Sequence, residues 1–217
     1  MISRRYCVFN SDILAGAEFT PGEEYPKVKG TILWTPPSKI NPFDRASEPH
    51  DKCTWMHFHV HDRRFRAFYG KPEKYLRLLK EYGGVFGIDH SVYRDMPLIE
   101  QKYSVYLNRA TDFWFEKNGI PVISNVSWGD SRTFAFCCAG IHQGVSISVS
   151  AYGCTRSKID KAYFIDGFCS VLDTLKPVNV FHQGRILPEA QAYADHVGVP
   201  LFHIPSRREE VFAEGGR

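Results

Sequence analysis

The sequence has no long apolar run and no apolar leader. Among its 217 residues, no stretch approaches the roughly 18 apolar residues that cross a bilayer. The first ten residues, MISRRYCVFN, are too polar for a secretory signal segment. These absences argue against a membrane or secreted protein. We expect a cytoplasmic protein without a membrane partner.

The six cysteines form no recognisable pairing pattern. They contain no CxxC pair, and the adjacent residues Cys137 and Cys138 have poor geometry for a disulfide. Thiols in such a chain usually behave as small apolar groups in a reducing compartment. No motif for a cofactor is present, and none is expected.

A strong charge of one sign is also missing, because the net charge is only +3. Such a value does not by itself predict a polyanionic partner. Basic residues nevertheless cluster locally, and each cluster is either solvated surface or a phosphate-binding patch. The clusters are Arg63, Arg64 and Arg66, then Arg156, Lys158 and Lys161, and finally Arg207 and Arg208.

Short apolar runs alternate with amphipathic stretches from residue 71 onward. The runs at 85–88, 121–126, 145–149, 178–181 and 201–204 predict strands, and the stretches at 97–117, 161–175 and 188–196 predict helices. This alternation predicts an α/β fold with a mainly parallel sheet of about five strands in three layers, Rossmann-like. A partial (β/α) barrel is the alternative. Residues 1–70 are expected to form an irregular extension, with some strand, packed on a core domain of residues 71–217.

Polar residues follow each predicted strand. The segment at 83–97, GGVFGIDHSVYRDMP, changes from a buried strand to a polar cluster that begins at Asp89. Because the carboxyl ends of parallel strands meet at one edge, we expect a site there. We assign catalysis to Asp89, Asn125 and His203: a carboxylate that holds or activates a water, an amide that hydrogen-bonds an amide-like edge of a substrate, and an imidazole that donates to a developing oxyanion, a role that His182 could also take. The expected substrate-binding residues are His90, Tyr93, Trp128, Asp130, Arg132 and Tyr152, and the expected phosphate-binding residues are Arg185, Ser206, Arg207 and Arg208.

Simpler roles remain open for several of these residues. Asp95 and Asp130 each have the position of a helix N-cap, and Trp128 is equally suited to the core. His57, His59 and His61 alternate, which on a strand would place three imidazoles on one face and would suit a metal ion. The same pattern also fits a half-exposed strand with ordinary polar residues.

Several motifs resemble a family found in bacteria and phages, the domain of unknown function numbered four-four-one-seven. The pattern D-x-S-x-Y-x-D-M-P-x-x-x-Q begins at Asp89, N-R lies at 108–109, and N-G-I-x-V-I-x-N-V-x-W-G-D ends at Asp130. The resemblance spans residues 57–155. Its members occur on phages and mobile elements, which implies a role in replication or in phage–host conflict.

A second similarity is to the uracil-DNA-glycosylase superfamily. Residues 87–89 match its G-x-D motif, whereas the segment at 203–206, HIPS, has one residue more than the family's H-P-S loop, and no Pro-Tyr follows Asp89. The similarity implies a hydrolase that flips a modified base out of DNA. Two alternatives stay open: a metal-dependent nuclease or phosphoesterase, and a non-catalytic protein that binds a nucleotide or a partner.

Overall fold

The computed structural model describes residues 10–206 and residue 209. Its seven strands are β1 (Lys39–Pro42), β2 (Thr54–His57), β3 (Gly84–Phe86), β4 (Val122–Ile123), β5 (Ser146–Ser150), β6 (Asn179–Gln183) and β7 (Leu201–Ile204). Every strand pairing among them is parallel. The predicted α/β class is therefore confirmed, with seven strands rather than about five.

The two additional strands lie inside the predicted N-terminal extension. β1 and β2 pair with each other, and β2 pairs with β3, so residues 39–57 share a sheet with the core. Both strands are four residues long, and prolines at 36, 37, 42 and 49 interrupt the apolar pattern around them. The division of the chain at residue 70 stays a prediction.

Four α-helices connect the strands: α1 (Leu76–Leu79), α2 (Leu98–Lys117), α3 (Lys158–Leu175) and α4 (Pro188–Val197). The Ser157 hydroxyl caps α3 by accepting a hydrogen bond from the Asp160 amide at 3.0 Å. The expected Asp95 cap is wrong, because α2 begins after Pro97 and has no side-chain cap. In the described part of the chain, no helix is long and apolar enough to cross a membrane.

Strand order follows chain order throughout. β1 to β4 form one sheet and β5 to β7 another, and a parallel bridge between Asn125 and Ser148 joins them. A Rossmann-like sheet reverses its strand order near the middle, and no such reversal occurs among the described strands. The observed order instead matches the alternative arrangement, a partial (β/α) barrel.

The sheet curls around an apolar interior. The rings of Phe86 on β3 and Phe181 on β6 have centroids 5.2 Å apart, whereas three strand steps in a flat sheet would separate them by roughly 14 Å. Trp55, Ile123 and Ile204 complete this interior cluster. Two further apolar clusters lie between the outer face of the sheet and the helices. No pairing between β7 and β1 occurs within the described residues, so the barrel is open there.

Residues 28–33 cover the amino ends of the strands. The Thr31 carbonyl accepts from the Ser146 amide at 3.2 Å, and the Leu33 carbonyl accepts from the Asn179 side chain at 2.9 Å. Ser146 and Asn179 are the first residues of β5 and β6. The carboxyl ends of the strands are therefore the end of the barrel at which a ligand can enter.

Candidate functional site

A cavity of about 950 Å³ opens at the carboxyl ends of the strands. Its lining comes from the carboxyl ends of β1 to β7 and the segments that follow them. Both the predicted extension, which contains β2, and the predicted core, which contains β3, therefore contribute to it. The lining residues used below are Arg45, His57, His59, Asp89, Tyr93, Ser127, Trp128, Ser150, Tyr152, Gln183 and Ser206. Of the residues predicted to meet at this edge, those that line the cavity are Asp89, Tyr93, Trp128, Tyr152 and Ser206.

Asp89 is the centre of a hydrogen-bond network in this cavity. Its Oδ1 atom accepts from the Asn125 amide at 2.5 Å and from the Ser127 hydroxyl at 2.6 Å. Its Oδ2 atom lies 3.2 Å from Nδ1 of His59, and its side chain is 19% exposed. A carboxylate has about four acceptor positions, so three donors hold the group in place and leave one position open to the cavity.

His59 joins two sides of the barrel. Its Nε2 atom lies 2.9 Å from the Ser148 hydroxyl, while its Nδ1 atom faces Asp89. Both contacts are satisfied when the Ser148 hydroxyl donates to Nε2 and the Nδ1–H group donates to the carboxylate. The side chain is 1% exposed. His59 therefore fixes the orientation of Asp89 from below the cavity surface.

His57 lies beside His59 and is uncharged at neutral pH. Burial, and then the charges of His59 and Arg45, hold the pKa of His57 well below its usual value. Its Nδ1 atom accepts from the His59 amide at 3.1 Å. This contact bends the chain directly after β2, which ends at His57, and turns the His59 side chain toward Asp89.

A second polar pair lies across the cavity from β2 and β3. The Ser150 hydroxyl donates to Oε1 of Gln183 at 3.0 Å, and the Tyr152 amide donates to the Ser150 hydroxyl at 3.2 Å. Within the described chain, no protein acceptor takes up the Gln183 amide nitrogen. This nitrogen is a hydrogen-bond donor that a ligand in the cavity can use.

Four Tyr, Trp and Phe side chains line the cavity: Tyr93, Trp128, Tyr152 and Phe164. Trp128 packs on Phe164 of α3 with ring centroids 5.4 Å apart, and its indole N–H donates to the Tyr163 carbonyl at 3.2 Å. Trp128 is therefore both part of the packing under α3 and part of the cavity wall. Tyr93 and Tyr152 are 59% and 68% exposed and stand at the cavity mouth.

A buried ion pair supports the network from behind. Both terminal nitrogens of Arg109 donate to the Asn125 carbonyl at 3.2 Å, and Nη1 also pairs with Asp112 at 3.3 Å. Burial raises the pKa of Asp112 to about 7, although the Arg109 charge opposes this shift. Gly87 leaves room for the pair, because a Cβ atom there would lie 2.4 Å from the Asp112 carboxylate.

Several predicted site residues lie away from the cavity. The exposed His203 ring contacts Glu209 at 3.2 Å, and Arg185 is exposed elsewhere on the surface. The His90 amide donates to Oδ1 of Asn108 at 2.9 Å, and the His90 ring packs edge-on against Phe65. Asp130 and Arg132 pair with each other, and Asp130 caps the short helix Ser131–Thr133. Arg207 and Arg208 lie outside the described residues.

The three alternating histidines do not share one face. β2 ends at His57, His59 points to Asp89, and His61 accepts a hydrogen bond from the Arg63 amide at 3.3 Å. Over residues 10–206 and 209, no group of three or more His, Cys, Asp or Glu side chains has a metal-binding arrangement. The alternation was therefore a poor guide to a common face, because the strand stops after the first imidazole.

The predicted strand ends do not include His59 or Ser148, which join the polar network. Ser127 and Gln183 do follow predicted strands, so the strand-end argument applied to them as well. The alternation of His57, His59 and His61 predicts a metal ligand or an ordinary polar strand residue at position 59, and neither role makes His59 a partner of Asp89. The histidines at 57, 59 and 61, which follow the apolar pair Trp55 and Met56, are the signal that a further strand ends there.

Comparisons with known proteins identify relatives in phages. A family model described as Domain of unknown function (DUF4417) matches residues 18–197. The Gene 1 protein of Mycobacterium phage D29 is 32% identical over 145 residues, which are 64% of this chain and 54% of the relative. The Gene 1 protein of Mycobacterium phage L5 is 30% identical over 145 residues, 64% of this chain and 63% of the relative. The chain thus spans less than two thirds of either relative's length. No solved structure matches significantly.

Proposed function

This chain belongs to the family described as Domain of unknown function (DUF4417), and we propose that it is a hydrolase that releases a base from a nucleotide unit of DNA in phage–host conflict. The observation that carries the proposal is the position of Asp89. Its carboxylate lies in a cavity of about 950 Å³, is fixed by three donors and shares the cavity lining with four aromatic rings.

The chemistry needs one well-placed carboxylate. Cleavage of an N-glycosidic bond develops positive charge on the sugar, and a nearby carboxylate stabilises that charge. The bond from C1′ to the base nitrogen breaks, and its electron pair leaves with the base. A water oxygen bonds to C1′ and passes a proton to Asp89, while the base gains a proton from solvent. Asn125, Ser127 and His59 keep the carboxylate oriented for this step.

The cavity walls suit a flat heterocycle. Trp128, Tyr93 and Tyr152 offer ring faces for stacking, and the Gln183 amide nitrogen offers a donor to a base oxygen or nitrogen. Arg45 adds positive charge to the same lining. The combination of ring faces, a carboxylate held in place by its neighbours and a free amide donor supports a base-binding pocket.

The test is release of bases from DNA. The chain is incubated with end-labelled single- and double-stranded phage DNA, with and without modified bases, and the products are heated in alkali to break abasic sites. We expect breaks with the native chain and at least a hundred-fold fewer with Asp89→Asn, as is typical for loss of a catalytic acid or base. Asp166→Asn, which alters an exposed carboxylate on α3, is the matched control and should retain activity.

The other outcomes decide against the proposal. Strand breaks that appear without alkali and disappear with EDTA would indicate a metal-dependent nuclease. Absence of products from every substrate, together with a nucleotide that co-purifies and is detected by native mass spectrometry, would indicate a binding protein. Equal activity of Asp89→Asn and the native chain would remove Asp89 from the reaction.

A further inference from the structure

Exposed rings and cations lie on two segments that reach the mouth of the cavity. We call this surface the rim and define it by Tyr93 and Arg94 after β3, and by Tyr152, Arg156, Lys158, Ile159, Lys161 and Tyr163 between β5 and the first turns of α3. Tyr93 and Tyr152 line the cavity itself. The rim is therefore continuous with the site.

Contacts between the two segments hold the rim together. The Arg94 guanidinium lies 4.9 Å from the centroid of the Tyr163 ring and pairs with Asp160 at 3.0 Å. The Tyr163 carbonyl accepts from the Trp128 indole in the cavity wall. Gly129 permits this approach, because a Cβ atom there would lie 2.9 Å from the Arg94 amide nitrogen. Arg94 and Tyr163 are thus held by packed contacts that join the two segments of the rim.

The charge of the rim is unbalanced. Arg156, Lys158 and Lys161 are exposed, and no carboxylate within the described residues pairs with any of them. Asp160, the acidic residue among them, is already bound by Arg94 and by the Ser157 hydroxyl at 2.8 Å. Three cations are therefore available to an anionic partner beside exposed rings.

We propose that the rim binds a single strand of nucleic acid, with bases stacked on Tyr93 and Tyr152 and the backbone along Arg156, Lys158 and Lys161. Aromatic platforms interleaved with cations are the usual means of binding single strands, because each base offers a ring face and each linkage a negative charge. The proposal specifies a single strand as the substrate of the proposed function. It rests on that function for the release of the base.

The geometry favours a single strand over a duplex. In a duplex the base faces are already stacked, and a base must be extruded at a cost of a few kcal/mol before it reaches a pocket. The rim rings can contact base faces only if those faces are free. A free nucleotide would fill the cavity but would leave the three cations beyond it without a partner.

Binding is measured by fluorescence anisotropy with a fluorescein-labelled thymidine 20-mer, and with the same strand annealed to its complement. The native chain and Asp89→Asn are both used, so that binding is measured independently of base release. We expect at least ten-fold tighter binding of the single strand. Tyr93→Ala and Tyr152→Ala should each weaken it at least about five-fold, the lower end for loss of one stacked base.

Matched variants distinguish binding at the rim from the general effect of removing a ring or a charge from the surface. Tyr152→Phe keeps a ring and should retain binding. Trp34→Ala removes an equally exposed ring near the opposite end of the barrel and should also retain it. Lys158→Ala should lower the slope of log affinity against log salt by about 0.7, the value for one phosphate contact on a single strand, whereas Lys117→Ala at the far end of α2 should not.

Equal or tighter binding of the duplex would overturn the proposal, as would rim alanine variants that bind like the native chain. The two proposals fail separately. Tight single-strand binding without abasic sites retains the rim and removes the glycosidic chemistry. If the chain releases the base from a free nucleotide but binds no single strand, the glycosidic chemistry is retained and the rim proposal is removed.

Discussion

The guanidinium group of Arg109 donates two hydrogen bonds to the main-chain oxygen of Asn125, both at 3.2 Å. The side chain of the same Asn125 donates to Asp89 at 2.5 Å. A residue in the middle of α2 therefore fixes the peptide that holds the candidate catalytic carboxylate. Arg109 is 1% exposed, so this support is entirely internal.

Arg109→Met should lower the free energy of unfolding by about 3–5 kcal/mol, because it leaves the buried Asp112 and three main-chain carbonyls without their partner. Urea denaturation followed by circular dichroism measures the change. Arg77→Met is the matched control, because that side chain is 97% exposed and its loss should change stability by less than about 0.5 kcal/mol. A loss below about 1 kcal/mol for Arg109→Met would show that the pair does not support the fold.

The meeting of Asp89 with Asn125 could be predicted from sequence, because it depends only on parallel strands and their carboxyl ends. The position of His203 could not. His182 and His203 are register partners on β6 and β7, and both lie outside the barrel since Phe181 and Ile204 occupy its interior. In VFHQ and LFHI each face of the strand carries at least one apolar residue, so alternation gives no sign of which face is inward.

β1 and β2 could not be predicted from the sequence for a related reason. β1 and β2 are short, and β2 is buried at all four positions, so neither shows the alternation of a half-buried strand. Their presence changes the expected open sheet into a curled one. It also brings His59 into the site, which no pattern confined to residues 71–217 could supply.

His182→Leu should reduce the fall in the free energy of unfolding that occurs as the pH drops below 7. Burial between Phe164 and Phe168 lowers the pKa of His182 to about 4. Between pH 4 and 6.5 the unfolded imidazole binds a proton that the folded one does not, so stability falls as pH falls. Between pH 7 and pH 5, the free energy of unfolding of the native chain should fall by about 2 kcal/mol more than that of the variant.

Urea midpoints at a series of pH values provide the measurement for His182→Leu. His57 and Asp112 also titrate with shifted pKa values, but they are present in both chains and cancel in the difference. His142→Leu, at an exposed position, controls for the loss of an imidazole as such. Parallel profiles for the native chain and His182→Leu would contradict the prediction.

Gly167→Ala should destabilise the chain although alanine favours a helix. A Cβ atom at position 167 would lie 2.1 Å from Nε1 of Trp128, so the indole must move. In a Trp128→Ala background the same change meets no indole and should stabilise α3 by up to about 1 kcal/mol. Thermal unfolding of all four chains gives the coupling between the two positions. Additive effects would show that Trp128 does not pack on Gly167.

Asn125→Asp tests the charge at the centre of the site. It replaces a donor to Asp89 with a second carboxylate at hydrogen-bond distance, where two negative charges are unfavourable and one pKa of the pair should rise. A raised carboxyl pKa in the folded state means that stability is greatest at low pH. The free energy of unfolding should fall by about 1.4 kcal/mol per pH unit as the pH rises from roughly 4 to the raised pKa. Urea midpoints from pH 4 to pH 8 measure this slope.

The double variant Asn125→Asp with Asp89→Asn separates charge repulsion from loss of the hydrogen bond. It exchanges the two groups, so one carboxylate again faces one amide, and the added pH dependence of the single variant should disappear. Base release should not return, because the carboxylate then stands on β4's side of the contact instead of on the segment that follows β3. Recovery of stability without recovery of activity would place the required negative charge at position 89 itself, whereas recovery of both would mean that either position serves.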